Sequence, residues 1–268
     1  METVTGGGGD PDRLHACMAE CLKRRNELQA LQDLDVALGE LDRERFPGVW
    51  AAGKLVSVQV RVRMRRQWPG PAVRELVEVF DHADGTVWWF GEHIPSTELQ
   101  EKVLDEVWDI VLNNGVLQLH DADRGMPSCI TEAADLLERG VALAEAAGDR
   151  AKVVESTIRL SSARIARGRT EEGLGLAAQA RREAETLGDA RLLCRARLPL
   201  IVAALHHRDR NQTLALLEEL LRASRRAGDK QMLTWARQQL RDIRAAQRYA
   251  RRARRQGWRH PGAGVATR

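Results

Sequence analysis

The sequence predicts two unlike halves: an α+β N-terminal domain, made of a helix, a three-stranded antiparallel meander and a second helix, and then an all-α array of helical hairpins. Three observations carry this reading. Gly-Asp recurs at Gly148-Asp149, Gly188-Asp189 and Gly228-Asp229, 40 residues apart each time. On both sides of each pair, apolar residues return at steps of three and four, the helical period. Between Val56 and Met64, by contrast, apolar and polar residues alternate strictly, which is the pattern of a half-buried strand.

Taken in order, residues 1–9 include the run Gly6 to Gly9 and are expected to be disordered. Asp10-Pro11 then reads as an N-cap followed by proline at the first helical position. The helical pattern continues through Leu14, Met18, Leu31 and Leu38, with room for one break, and stops before Pro47. In the alternating stretch, Val56, Val58, Val60, Val62 and Met64 share one face of the predicted strand. Ser57, Gln59, Arg61, Arg63 and Arg65 share the other. Two more strands are predicted at Leu76–Phe80 and Thr86–Phe90, joined by a hairpin loop over His82-Ala83-Asp84-Gly85. A helix beginning at Ser96 and running to Asn114-Gly115 is expected to cover the sheet. The N-terminal domain is thus placed at 10–115, a linker at 116–129, the array at 130–255 and a disordered tail at 256–268.

Within the array, each Gly-Asp ends one helix and starts the next. Glycine takes the left-handed conformation that closes a C-cap, and aspartate accepts hydrogen bonds from the free amides of the following helix. The alternate connections have Gly168 with Thr170 as the expected cap, and Asn211 as its later counterpart. Pro199 falls inside a helical pattern and is expected to kink it near Arg195. The stretch RGRTEEGLGLAAQARREAETLGDARL resembles the tetratricopeptide-like repeats, about 40 residues long, of bacterial signal-transduction regulators. The resemblance spans about 130–245. It departs from the standard unit in lacking the proline between repeats and much of the aromatic content. It implies a concave surface that binds a protein or peptide partner.

Composition narrows the function classes. Hydrophobic residues are 43% and charged residues 30% of the 268, as in ordinary globular domains. No apolar run has the length of a membrane span, and the N-terminus lacks the pattern of a secretory signal, so the expected location is cytoplasmic with no membrane partner. The net charge of +4 conceals an asymmetry: nine arginines and one acid, Asp242, lie from Arg241 onward, leaving the rest net acidic. Arg248, Arg251, Arg252 and Arg255 would share one helical face. With Arg61, Arg63 and Arg65 beside Trp68, Trp88 and Trp89, they are the candidate anion-binding residues, and nucleic acid is the alternative partner.

Signatures of chemistry are missing. There is no phosphate-cradling loop, no Gly-x-Ser-x-Gly and no His-Glu-x-x-His, so no catalytic residues are assigned and no enzyme activity or cofactor is expected. His15, Cys17 and Cys21 lack zinc-ligand spacing, and all four cysteines are read as buried thiols with no metal. The cluster His120, Asp121 and Asp123 is read as a solvated linker. His206-His207 is read as a pair at a helix end.

Overall fold

The computed structural model describes residues 10–23, 28–64, 67, 69–89, 92–112 and 126–255. It is mostly helical, with one two-stranded antiparallel sheet. In the first half, α1 (Pro11–Lys23) and α2 (Leu28–Glu40) pack together and against α3 (Pro47–Arg63). Pro11 sits at the helix start, and Asp10 accepts a hydrogen bond from the Asp12 amide at 2.9 Å.

The predicted strand over 55–65 is instead helical from Leu55 through Arg63, the second half of α3, a correction with a clear cause. This helix is buried on several sides, against α1, α2, α4 (Pro69–His82) and later elements, so apolar residues occupy most of its circumference. Ala51, Ala52, Leu55, Val56 and Val58 are all fully buried. Its polar residues form a helical stripe: Lys54 pairs with Glu75 at 2.7 Å, and Ser57 donates to Asp35 at 2.8 Å. Arg61 reaches Asp35 at 2.7 Å and Glu75 at 3.4 Å. The steps of three and four from Lys54 to Ser57 to Arg61 are helical, and they coexist with the alternation that suggested a strand.

The predicted strand 76–80 is likewise helical, within α4. Ala72, Val73, Leu76, Val79, Phe80 and Ala83 are buried at helical spacing. The three-stranded meander is therefore replaced by a single hairpin of β1 (Thr86–Trp89) and β2 (Glu92–Pro95), with Val87 opposite Ile94 and Trp88 opposite His93. Asp84-Gly85 turns the chain from α4 into β1 rather than joining two strands; Gly85 has φ 65° and accepts the Ser96 amide at 2.9 Å. Ser96 opens α5 (Ser96–Ile110), as expected.

The second half is a run of helices: α6 (Met126–Ala146), α7 (Arg150–Ala166), α8 (Thr170–Leu187), α9 (Ala190–Arg195), α10 (Leu198–His206), α11 (Arg210–Ala227) and α12 (Lys230–Arg255). Gly148, Gly188 and Gly228 have φ of 69°, 67° and 67°. Asp149 accepts the Lys152 amide, Asp189 the Arg191 and Leu192 amides, and Asp229 the Met232 amide. Each pair thus closes one helix and caps the next. In the alternate turns the caps differ from expectation. Asp209, not Asn211, accepts the Gln212 amide at 2.9 Å, and Arg169 rather than Thr170 precedes α8 without a side-chain cap. Pro199 lies in the first turn of α10, and the chain breaks between α9 and α10 at Ala196-Arg197. Proline lacks the amide that would bond to Arg195 and crowds its carbonyl, so the helix restarts there.

Arg208 stands 40 residues after Gly168 and shares its left-handed backbone, with φ 57° against 90°. A side chain in that region costs about 1–2 kcal/mol, partly offset by glycine's greater chain entropy when unfolded. Arg208→Gly is expected to stabilise the protein by about 0.5–1 kcal/mol in urea denaturation. A lower midpoint would refute strain at this turn.

The two halves share a core. One buried cluster runs from Leu14 through Leu55, Leu76 and Val107 to Leu137, Leu217 and Leu240, because α4 and α5 both pack on α6.

Candidate functional site

Where α5 faces the array, a cavity of about 670 Å³ opens, with walls from α3, β1, α5, α6, α7, α9 and α12. Helix α5 supplies one wall because it is two-faced. Leu99, Val103, Leu104, Val107 and Trp108 are buried, while Glu101, Asp105, Glu106 and Asp109 line the opening. The opposite wall is α7, which starts at the Asp149 cap and presents Lys152, Glu155 and Arg159. Arg195 arrives from α9, at the break set by Pro199.

Ion pairs cross this space. Lys152 reaches Glu101, and Arg159 reaches Asp105 at 2.7 Å and Glu155 at 3.1 Å. Arg195 contacts Glu155, Asp229 at 2.9 Å and Gln231 at 3.3 Å. Asp229 is only 1% exposed. Burial opposes its ionisation, but the Met232 amide and the Arg195 guanidinium outweigh that and hold its carboxyl below the usual aspartate range. Lys102 pairs with Glu98 at 3.2 Å and lies 5.5 Å from the Trp89 ring centroid, a cation–π contact.

Glu106 and Asp109 differ from the other carboxylates of this wall. Among the described residues neither forms an ion pair, and Gln59 beside Glu106 works against the rise at that carboxyl. Desolvation raises both carboxyls above their ordinary range, with Asp109 adding to the rise at Glu106 and Asp105 to that at Asp109. Arg63 opposes the rise at both, and Arg159 opposes it at Asp109. A raised folded value means stability that is present while the carboxyl is protonated and is lost as pH rises through that value. The double variant Glu106→Gln/Asp109→Asn is therefore expected to melt above the parent at neutral pH. The difference should vanish below the ordinary carboxylate range, and equal melting at neutral pH would refute the strain.

Among the described side chains, Arg61, Arg63 and Arg248 stand apart from one another. Arg61 is spent on Asp35 and Glu75, and Arg63 is exposed at the cavity rim. Arg65 and Trp68 lie outside the described residues. Because 55–63 is helical, the arginine face predicted on a strand does not exist. Trp88 stacks on His15 at 3.8 Å, and Trp89 lines the cavity. Arg248 is exposed on α12; Arg251, Arg252 and Arg255 lie on the same helix, their side chains outside the described residues. The cluster at His120, Asp121 and Asp123 is also outside them. His206 has its imidazole pKa lowered by burial and by His207.

The four cysteines are free thiols, and burial pushes Cys21 and Cys129 up to about 11. No group of three metal-ligating side chains comes together among the described residues. No described helix is long and apolar enough to cross a membrane.

Apart from Arg63 and Trp89, the cavity residues were missed in the sequence because they come from separate elements. One signal pointed to them: Glu155 and Arg195 are 40 residues apart, the repeat interval, and carry opposite charges.

No family model matches the chain, and no curated protein matches it. Among solved structures, one described as "DHF58 filament" aligns over 92% of this chain and 96% of that one, at 21% identity and a TM-score of 0.27. A likeness at that score carries no weight for fold or function.

Proposed function

We propose that this chain is a non-enzymatic adaptor or regulatory module, a tetratricopeptide-like array that binds an extended segment of a protein or peptide partner. The observation that carries the reading is the cavity between α5 and helices α6, α7, α9 and α12 of the array. It has the volume of a ligand site and is walled by charged groups around Trp89 and Trp108. Helical hairpins repeated at 40 residues support it, since stacked hairpins present such surfaces.

Selection of displayed peptides against the full chain, followed by calorimetry, tests the reading. Selected peptides are expected to lose affinity with Trp89→Ala and to change in affinity with Lys152→Glu, which reverses a charge on the cavity wall. Peptides that bind both variants as tightly as the parent would refute a role for the cavity.

A second reading, nucleic-acid association, has one observation in its favour. Arg237, Arg241, Arg244 and Arg248 are exposed on α12 at steps of four, three and four. They fall within about 60° of helical arc over about 17 Å. Only Arg244 among them is paired, with Glu218 at 3.1 Å. Binding of oligonucleotides that weakens steeply with salt, and disappears on truncation after Ile243, is the expected result. Salt-insensitive binding would eliminate it.

A further inference from the structure

Four of the five cations that line the cavity are already committed, and the fifth, Arg63, is exposed at the rim and acts on Glu106 and Asp109 without an ion pair to either among the described residues. Lys152 is on Glu101, Arg159 on Asp105 and Glu155, Arg195 on Glu155 and Asp229, and Lys102 on Glu98. The carboxylates are in surplus. Helix α5 carries Glu98, Glu101, Asp105, Glu106 and Asp109 against the single base Lys102. Its acidic side therefore draws cations from elsewhere in the chain, and Lys152 and Arg159 reach across from α7 to meet it. Those two pairs occupy Glu101 and Asp105. They leave Glu106 and, three residues further along α5, Asp109 at the cavity with no ion pair among the described residues, Arg63 and, for Asp109, Arg159 acting on them only through space.

We propose that this cavity seats a lysine or arginine side chain of an extended basic peptide, its cation between Glu106 and Asp109 and its aliphatic stem against Leu104 and Trp108. The proposal rests on the peptide-binding reading above and names the chemistry of the peptide. Three features fit together. Glu106 is half-buried and Asp109 exposed, and the half-buried carboxylate gains from a cation brought in by a ligand more than it would in water. The stem of lysine or arginine is apolar and matches Leu104 and Trp108, both of which line the cavity. Lys152 and Arg159 provide an internal precedent, since the same helix already accepts an ammonium and a guanidinium from another element. The volume of about 670 Å³ leaves room for more than one side chain, which favours a peptide over a small free cation.

The test uses the full chain and fluorescence anisotropy with short labelled peptides. One peptide spaces arginine and lysine among alanine and leucine; its counterpart has glutamate at every basic position. The basic peptide is expected to bind about tenfold more tightly than the acidic one, and Glu106→Gln/Asp109→Asn is expected to remove about that factor. Glu219→Gln, at an exposed carboxylate on α11 away from the cavity, is expected to change nothing. Thermal melting of the double variant, expected above the parent, separates lost binding from lost fold.

Equal weakening by Glu219→Gln and by the double variant would show general surface attraction and overturn the proposal. Displacement of the peptide by an equal concentration of spermidine would also overturn it, because the site would then select charge without a chain. If acidic or neutral peptides bind at the cavity and basic ones do not, the cation seat is wrong and the peptide-binding reading stands. If cavity substitutions affect no peptide of any charge, both fail.

Discussion

Asp229→Ala is expected to destabilise the protein by about 3 kcal/mol, far more than the same change at the two equivalent turns. All three aspartates cap a helix from the same place in the repeat, and loss of a cap alone costs about 1 kcal/mol. Asp149 and Asp189 are partly exposed. Asp229 is buried and also accepts the Arg195 guanidinium at 2.9 Å. Removing one member of a buried ion pair costs about 3–5 kcal/mol, and the lower end applies because Arg195 keeps Glu155 and Gln231.

The pH dependence has a definite sign. The carboxyl of Asp229 is held below its unfolded value, so its contribution is present above the ordinary aspartate range. It is lost as pH falls through the lower folded value. Urea titrations of the parent and Asp229→Asn should therefore differ at neutral pH and converge in acid. If Asp229→Ala cost no more than Asp149→Ala, the link between α9 and α12 would be dispensable.

The second large effect concerns the crossing of α7 and α8. A β-carbon at Gly173 would lie 2.5 Å from Cγ1 of Ile165 and 2.7 Å from the carbonyl oxygen of Ser161. The Ser161 hydroxyl donates to the Gly173 carbonyl at 2.7 Å, so the two helices are held at contact. Gly173→Ala must push them apart, at a cost of about 1–3 kcal/mol for overpacking plus the strain on that hydrogen bond. Alanine's better helix propensity returns about 1 kcal/mol, so the net loss is expected to be about 2 kcal/mol. Gly175, two residues along the same helix, has open space around it. There Gly175→Ala is expected to stabilise by about 0.5–1 kcal/mol. Opposite signs at the two positions, read as melting shifts, are the diagnostic result; a gain at both would refute the tight crossing.

The legible and illegible parts of the sequence divide by how local their causes are. Gly148-Asp149 and its repeats state their role within a few residues, since left-handed backbone and capping are properties of the turn itself. Pro199 is local in the same sense, and it broke the helix at the expected place. The stretch 55–65 misled because alternation and helical spacing coexist there. Lys54, Ser57 and Arg61 form one stripe, and only the partners Asp35 and Glu75, brought by α2 and α4, show which period governs. At 72–83 the helical spacing was visible in Ala72, Val73, Leu76, Val79 and Phe80, but Asp84-Gly85 read as a hairpin loop and so suggested a strand before it. The cavity was hidden for a different reason. Glu106, Arg159 and Arg195 are unremarkable surface charges until α5 is folded against α7, which no local pattern encodes.

The shared core of α4, α5 and α6 bears on how the molecule is made. During synthesis α1 to α5 leave the ribosome ahead of α6, and folding proceeds from the N-terminal end as the chain emerges. The face of α4 and α5 is then a finished template when α6 arrives. Each later hairpin docks on its predecessor, so the array grows in one direction from a fixed seed. The seed also sets the cavity: α5 emerges ahead of Lys152, Arg159 and Arg195, and the charged wall closes in the order in which those residues appear.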